Sequence, residues 1–434
     1  MKTYPAYKDS DIEWLGETPT IWNLLRTKYV LKIKKEVSGE ECSNYTILAL
    51  TLKGVIRRDI ESGFGKHPAE YNTYQIVNND ELIFCLFDYD VTPRTIGYVT
   101  QTGIVTGAYT SMVKQNNSIH TKYYYYYFLS LDIGKELLHL CKGLRNSIQK
   151  DTFFDLRIPC PSLLEQKTIA TYLDRKTAKI DRLLEIKTKK IKLLKEHRTA
   201  IINQAVTKGL NADVKLKDSG IEWLGEVPEH WLIKRLKFVA KGFMYGTSIN
   251  CNDLETGTPV LRIPNIKNEK VSLDDLKYAK LNETEEKTYL LKDGDILIVR
   301  TNGNPKLVGR SALVKNVGKC IFASYLIKIT PQKNISPEFL SLSLKSESVQ
   351  EFLSFSARTS AGNYNLNTQA LSDASLAYPP QAEQIQIIEY LESKTLQTDK
   401  TIETTQTQIN QLKEYRTALI SSVVTGKLDV RGEV

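Results

Sequence analysis

From Leu173, alternate strides of four and three residues land on Thr177, Ile180, Leu184, Lys187, Ile191, Leu194, Arg198, Ile201 and Ala205. The same strides from Leu391 reach Thr395, Thr398, Ile402, Thr405, Ile409, Leu412, Arg416, Leu419 and Val423. Mostly apolar residues at the 3.5-residue period predict a helix with a narrow seam, the pattern of a coiled-coil pair rather than of a helix sunk into a globular core. Helices are expected over Glu165 to Thr207 and Glu383 to Thr425, each about 60 Å long at 1.5 Å per residue. The polar interruptions Lys187 and Thr405 leave a second arrangement open, in which each helix packs on its own domain. Elsewhere the apolar runs Glu81 to Leu86 and Asp295 to Val299 follow the turn-like Asn78-Asn79-Asp80 and Asp293-Gly294, and read as strands. Shorter helices are expected at Tyr123 to Leu131 and Pro337 to Leu344.

The two long helices belong to a larger repeat. Lys8-Asp9-Ser10-Asp11-Ile12-Glu13-Trp14-Leu15-Gly16-Glu17 recurs 209 residues later as Lys217-Asp218-Ser219-Gly220-Ile221-Glu222-Trp223-Leu224-Gly225-Glu226. A proline and a tryptophan follow in both copies (Pro19 and Trp22, Pro228 and Trp231). The block from Glu165-Gln166 to Leu194-Lys195-Glu196-His197-Arg198-Thr199-Ala200 recurs 218 residues later as Glu383-Gln384 to Leu412-Lys413-Glu414-Tyr415-Arg416-Thr417-Ala418. Each half therefore reads as short motif, variable segment and long helix, with the second variable segment nine residues longer. A scaffold written twice around two divergent inserts implies two related recognition tasks with different targets.

Composition narrows the class of partner. A length of 434 residues calls for more than one domain, and a formal charge of +9 suits a polyanion without requiring one. No stretch approaches the roughly 18 apolar residues of a membrane span, and Met1 to Pro5 lacks the apolar core of a secretion signal, so a cytoplasmic protein with no membrane partner is expected. The six cysteines lie far apart without a CxxC pair and are expected as small core residues.

The two repeated blocks resemble the specificity subunits of type I restriction-modification systems. The resemblance rests on D-S-x-I-E-W-L-G-E-x-P-x-x-W at Asp9 to Trp22 and Asp218 to Trp231. It rests equally on the helix-opening Pro161 to Gln166 and Pro379-Pro380 to Gln384, and on Val206-Thr207-Lys208-Gly209-Leu210 and Val424-Thr425-Gly426-Lys427-Leu428 beyond the helices. It implies an α+β protein with an internal pseudo-twofold repeat: target recognition domains at 1–158 and 213–378, and antiparallel coiled-coil spacer helices at 159–212 and 379–434. Each recognition domain would read one half of a split double-stranded DNA site. The helices would dock two modification subunits, which use S-adenosylmethionine to methylate adenine, and restriction subunits using ATP and Mg would join to cleave. The chain itself would hold no cofactor, no metal and no catalytic residue. The repeated W-L-G-E residues admit a plainer role in packing, with Ser10-x-x-Glu13 and Ser219-x-x-Glu222 resembling helix capping boxes.

A search for chemistry in the chain agrees with a binding role. Tyr378-Pro379-Pro380-Gln381 lacks both ends of an amino-methyltransferase loop, and Gly303 to Ser311 has the wrong spacing and an arginine where a phosphate-binding loop needs lysine. Asp181, Glu185 and Lys187 mimic a nuclease triad but fall on the long helix, where surface pairing is the ordinary reading. Candidate DNA contacts are the Arg, Lys and Asn residues of polar, glycine-broken runs, because these types bond phosphates and base edges. In the second half they are Arg300, Asn302, Asn304, Lys306 and Arg310, then Arg358, Asn363 and Asn365. In the first half they are Lys53, Arg57, Arg58 and Lys66, then Arg94, then Arg145, Asn146 and Lys150. The stretch Phe87-Asp88-Tyr89-Asp90 stands where the second half has Arg-Thr-Asn-Gly; its carboxylates either read cytosine amino groups or face away. Tyr123 to Tyr127 is expected in the core rather than as a base-stacking platform. The alternative to a DNA reader is a coiled-coil adaptor whose two heads bind protein.

Overall fold

The computed structural model describes residues 2–58, 70–267, 269–360 and 362–433, with the backbone alone at 358–360. The chain divides into two units, one of Met1–Thr188 with Gln406–Val434 and one of Lys189–Thr405. Each mixes helices with antiparallel sheet, the expected α+β class.

In the first unit a four-stranded sheet runs in the spatial order Leu31–Ile33, Thr110–Lys114, Leu82–Phe84, Ile96–Tyr98, antiparallel throughout. Beside it in the core lies the helix Thr121–Gly134, in which Tyr123, Tyr124, Tyr126 and Tyr127 are buried. Consecutive tyrosines point around a helix rather than to one side, so the burial of these four fixes the run as core and leaves no stacking platform. In the second unit the sheet order is Ala240–Tyr245, Leu326–Pro331, Ile296–Val299, Ser311–Leu313, Lys270–Val271, Ile266–Lys267. Its first four strands repeat the topology of the first unit: first strand, last strand, then the two between.

Each unit also holds a smaller two-stranded frame. Asn23–Arg26 pairs with Arg157–Cys160, and Leu232–Arg235 with Ser375–Tyr378, so each variable segment begins and ends on neighbouring strands. The repeated Lys-Asp-Ser blocks form hairpins (Tyr7–Asp9 with Glu17–Pro19, Leu216–Asp218 with Glu226–Pro228) rather than helix starts. Gly16 and Gly225, at φ of 62° and 64°, close the loops, and Ser10 and Ser219 accept from the backbone N–H two residues on. The resemblance to capping boxes was therefore misleading.

The long helices span Leu163–Lys208 (46 residues) and Gln381–Val424 (44 residues). All twenty seam positions named above are buried or half-buried, whereas most residues between them are exposed. In the first unit Asp181 pairs with Arg416 (2.8 Å) and Lys187 donates to Gln408 (2.7 Å), so residue numbers fall along one helix as they rise along the other. In the second unit Arg198 pairs with Asp399 (3.2 Å), and Ile202, Ala205 and Val206 share a core with Ile387 and Leu391. The helix segments within each unit thus run antiparallel. Polar seam residues are accommodated by pairing: Arg416 and Arg198 hold carboxylates of the facing helix, and the acid that looked like a nuclease ligand, Asp181, is one of these partners.

Candidate nucleic-acid interface

The repeated motifs build the platform on which the candidate residues stand. Trp22, fully buried, donates from Nε1 to Glu165 (3.1 Å), and Trp231 donates to Glu383 (2.9 Å). The glutamine beside each acid clamps the domain above. Gln166 accepts from the His120 backbone and donates to the Pro161 carbonyl, while Gln384 accepts from Ser336 and donates to Pro379. The glycine after the opposite long helix closes the joint. A Cβ at Gly426 would come within 2.4 Å of Pro19 and 3.1 Å of Trp22, and one at Gly209 within 3.2 Å of Trp231. In the second unit Gly209 leads covalently into the next hairpin, whereas in the first the same junction is made by a backbone bridge between Lys2 and Asp429. In the W-L-G-E blocks themselves Leu15 and Leu224 are buried and Trp14 and Trp223 pack half-buried against the two cores, which favours the packing role.

In the second unit the two candidate stretches come together. Thr301–Asn302 pairs with Asn363–Asn365, which pairs in turn with Arg358–Ser360, giving a three-stranded ribbon where open loops were expected. Thr301 Oγ1 donates to Asn365 Oδ1 (2.6 Å), tying the stretches by side chain as well. Asn302 and Asn304 spend their side-chain oxygens on the backbone N–H groups of Asn304 and Lys306, which shapes the turn and leaves their amide NH2 groups as donors. Lys306, Arg310 and Asn363 are exposed. Arg300 is half-exposed, its guanidinium 4.5 Å from the Tyr245 ring centre and its Nη1 donating to the Ser324 carbonyl (3.2 Å). Its Nε is buried without a partner among the described residues, so the terminal nitrogens are the ones a ligand can reach. Tyr245, exposed on an edge strand, is the ring on which this guanidinium lies, and sequence reasoning missed it, since nothing local ties it to Arg300. The Arg358 side chain lies outside the description.

In the first unit the candidates are scattered. Lys53 and Arg57 are exposed on the hairpin Leu48–Thr51 with Gly54–Arg57, Arg58 follows half-buried, and Lys66 lies outside the described residues. Arg145 stacks 4.8 Å from the Phe87 ring centre and donates from Nε to Asp88 (3.1 Å); the guanidinium holds the Asp88 carboxyl below its usual range. Asp88 is thereby neutralised at close range, and Tyr89 is buried with its hydroxyl on the Leu131 carbonyl. Asn146 is half-exposed. The exposed Lys150, with Lys35, Gln75 and Tyr109, lines a cleft of about 420 Å³ beside Phe87.

Arg94 is a correction. It sits 15% exposed against Asp132 (3.3 Å), whose 2% exposed carboxylate also accepts from the Thr95 backbone (3.1 Å), Thr95 Oγ1 (2.6 Å) and Lys135 (2.8 Å). A guanidinium committed to a buried acid is unavailable to a phosphate. Arg94→Ala is expected to lower unfolding stability by about 1–3 kcal/mol, the cost of a charged hydrogen bond withdrawn from a buried group, while leaving DNA affinity unchanged. A denaturation curve and a binding isotherm on the same preparation check both halves of this expectation.

Among the described residues no group of three or more His, Cys, Asp or Glu is arranged to hold a metal, and no helix is long and apolar enough to cross a membrane.

Comparison with known proteins agrees with this geometry. The family described as "Type I restriction modification DNA specificity domain" matches residues 56–196 and 228–414, one match in each half. The EcoKI specificity subunit of Escherichia coli (strain K12), a type I restriction enzyme subunit, is 25% identical over 291 residues, covering 66% of this chain and 61% of that relative. The MjaVIII specificity subunit of Methanocaldococcus jannaschii is 26% identical over 453 residues, 98% of this chain and 97% of its own. A solved chain from a study of complex assembly and conformational transition in the type I R-M system superposes with a TM-score of 0.71 at 14% identity, covering 95% of this chain and 99% of that one. That likeness is one of fold.

Proposed function

This chain belongs to the type I restriction-modification DNA specificity family, and from that membership we propose that each unit reads one half of a bipartite duplex DNA site. The antiparallel long helices act as a coiled-coil spacer that fixes the distance between half-sites and docks methyltransferase subunits. Adenine methylation and DNA cleavage, with S-adenosylmethionine, ATP and Mg, belong to partner subunits in this reading, and the chain supplies recognition alone. The observation that carries it is the common frame: the same strand pair and Trp–Glu clamp hold two unlike sets of Arg, Lys and Asn residues.

Affinity for duplex DNA, measured with the modification subunits present, is expected to fall steeply with salt, because each lysine or arginine on a phosphate releases a counterion. A flat, weak signal would favour an adaptor that binds protein. Arg300→Ala should cost about 1–3 kcal/mol and relax specificity at one position of the second half-site, as for a guanidinium on a guanine edge. Arg300→Lys should not restore it, since an ammonium can neither span two acceptors nor stack as a plane on Tyr245. Lys306→Ala should weaken all sequences alike and reduce the salt slope by about one. Binding isotherms at several salt concentrations separate the two residues.

A further inference from the structure

Among the described residues the two most exposed large apolar side chains are Leu144 and Phe355, at 106% and 92% of full exposure. Single apolar residues on a surface need no explanation by themselves. These two stand one in each unit, each in the connection between the core helix (Thr121–Gly134 or Pro337–Leu344) and the short closing helix (Lys150–Asp155 or Thr368–Asp373).

Both are held out by rigid local structure. Leu144 tips a turn closed by two backbone bonds between Lys142 and Ser147 (2.9 and 3.0 Å), with Gly143 and Asn146 at φ of 74° and 38°. Phe355 is the penultimate residue of the helix Glu347–Ser356, whose end is fastened to the Arg300–Arg310 stretch. Ser354 donates to the Pro305 carbonyl (3.3 Å), and Gln350 to that of Gly309 (2.9 Å). Basic residues are close to each tip along the chain or on the stretch that anchors it. Lys142 and Arg145 flank Leu144, and the exposed Lys306 and Arg310 follow the carbonyls that anchor the Phe355 helix.

We propose that Leu144 and Phe355 are wedges that insert between stacked bases of duplex DNA, one in each half-site. The inference rests on the DNA-reading function proposed above. An exposed apolar tip with basic residues nearby matches a duplex, which offers an apolar slot between bases walled by phosphates, and leucine and phenylalanine are among the side chains that proteins use this way. A protein pocket for the same side chain calls for further apolar surface around it, as interface cores have, whereas the immediate neighbours of these tips are Gly143 and Arg145, and Ser354 and Ser356.

The test uses the chain assembled with its modification subunits and a cognate duplex, identified by mapping methylated bases, with 2-aminopurine placed at successive steps. Binding of the unaltered complex should raise fluorescence at one step in each half-site. Leu144→Ala should abolish the rise in one half-site and Phe355→Ala in the other, each weakening binding at least about tenfold. The salt slope should stay the same, because no phosphate contact is lost. An abasic site at the affected step should recover most of the loss, since the cost of unstacking has already been met. Variants that unstack and bind as the parent does would overturn the proposal. So would variants that bind DNA normally but shed the modification subunits, which would mark a protein contact. An unaltered complex with no salt-dependent DNA binding would instead overturn the DNA-reading function itself.

Discussion

Trp22→Ala is expected to lower the stability of the first unit by about 3–5 kcal/mol, the range for emptying a fully buried large aromatic site. Four separate segments of the chain meet on this ring. Tyr4 and Tyr123 lie edge-on to it at 5.7 and 6.5 Å, Glu165 accepts its Nε1, and Gly426 closes over its far edge. The truncation does more than open a cavity. Glu165, itself 5% exposed, would keep Tyr4 (2.6 Å) as its remaining side-chain donor, and a buried carboxylate that loses a donor costs more than an exposed one. Trp22→Phe keeps most of the packing and removes only the donor, so it should fall well short of the alanine variant. Thermal denaturation of the purified chain checks the order. At about 2–4 °C per kcal/mol for a unit of this size, the alanine variant should melt about 10 °C lower, and equal melting of parent and variant would remove the tryptophan from its role as clamp.

The extent to which the sequence foretold this arrangement differs between scaffold and site. The long helices were legible because their seam is repetitive: strides of four and three reach ten positions in each copy, and interruptions such as Arg198 and Arg416 proved to be cross-helix ion pairs rather than breaks. The strand at Ile296–Val299 was legible because four consecutive buried aliphatic residues admit little else between turns. Links between distant segments were not. The Trp22–Glu165 bond joins residues 143 apart, and only the repetition of both partners hinted at a shared role. Arg94 looked like an exposed loop cation because its acid, Asp132, lies three strands further along the chain and inside a helix that reads as aromatic core. The ribbon of Thr301–Asn302 with Asn363–Asn365 escaped notice since two- and three-residue strands of polar residues carry no alternation. Recognition surfaces are built from such stretches, because the side chains must stay free for a ligand instead of declaring a core.

Replacing residues 235–375 with the corresponding segment of another family member is expected to change one half of the methylated sequence and leave the other half and the spacing untouched. The physical basis is the register of the frame. Arg235 and Ser375 face each other across the strand pair Leu232–Arg235 and Ser375–Tyr378, so the segment leaves and re-enters the platform at a single cross-strand pair. Trp231, Glu383, Gly209 and both long helices stay as they are. The incoming segment must provide a helix start whose backbone N–H can replace that of Ser336 on Gln384 (3.0 Å), and an apolar face for Ile202, Ile387 and Leu391. Family segments carried on the same frame meet those demands, whereas an unrelated insert of equal length would not. The first unit offers the mirror experiment at Arg26 and Arg157, also paired across their strands. With each mismatched base pair costing about 1–3 kcal/mol and the costs roughly additive, the original half-site should lose at least about thirtyfold in affinity once two of its positions are misread. Sequencing of modified bases in a host carrying the hybrid reads the result directly. A hybrid that altered both halves, or shifted the spacing between them, would show that the helices and the variable segments do not act as separable parts.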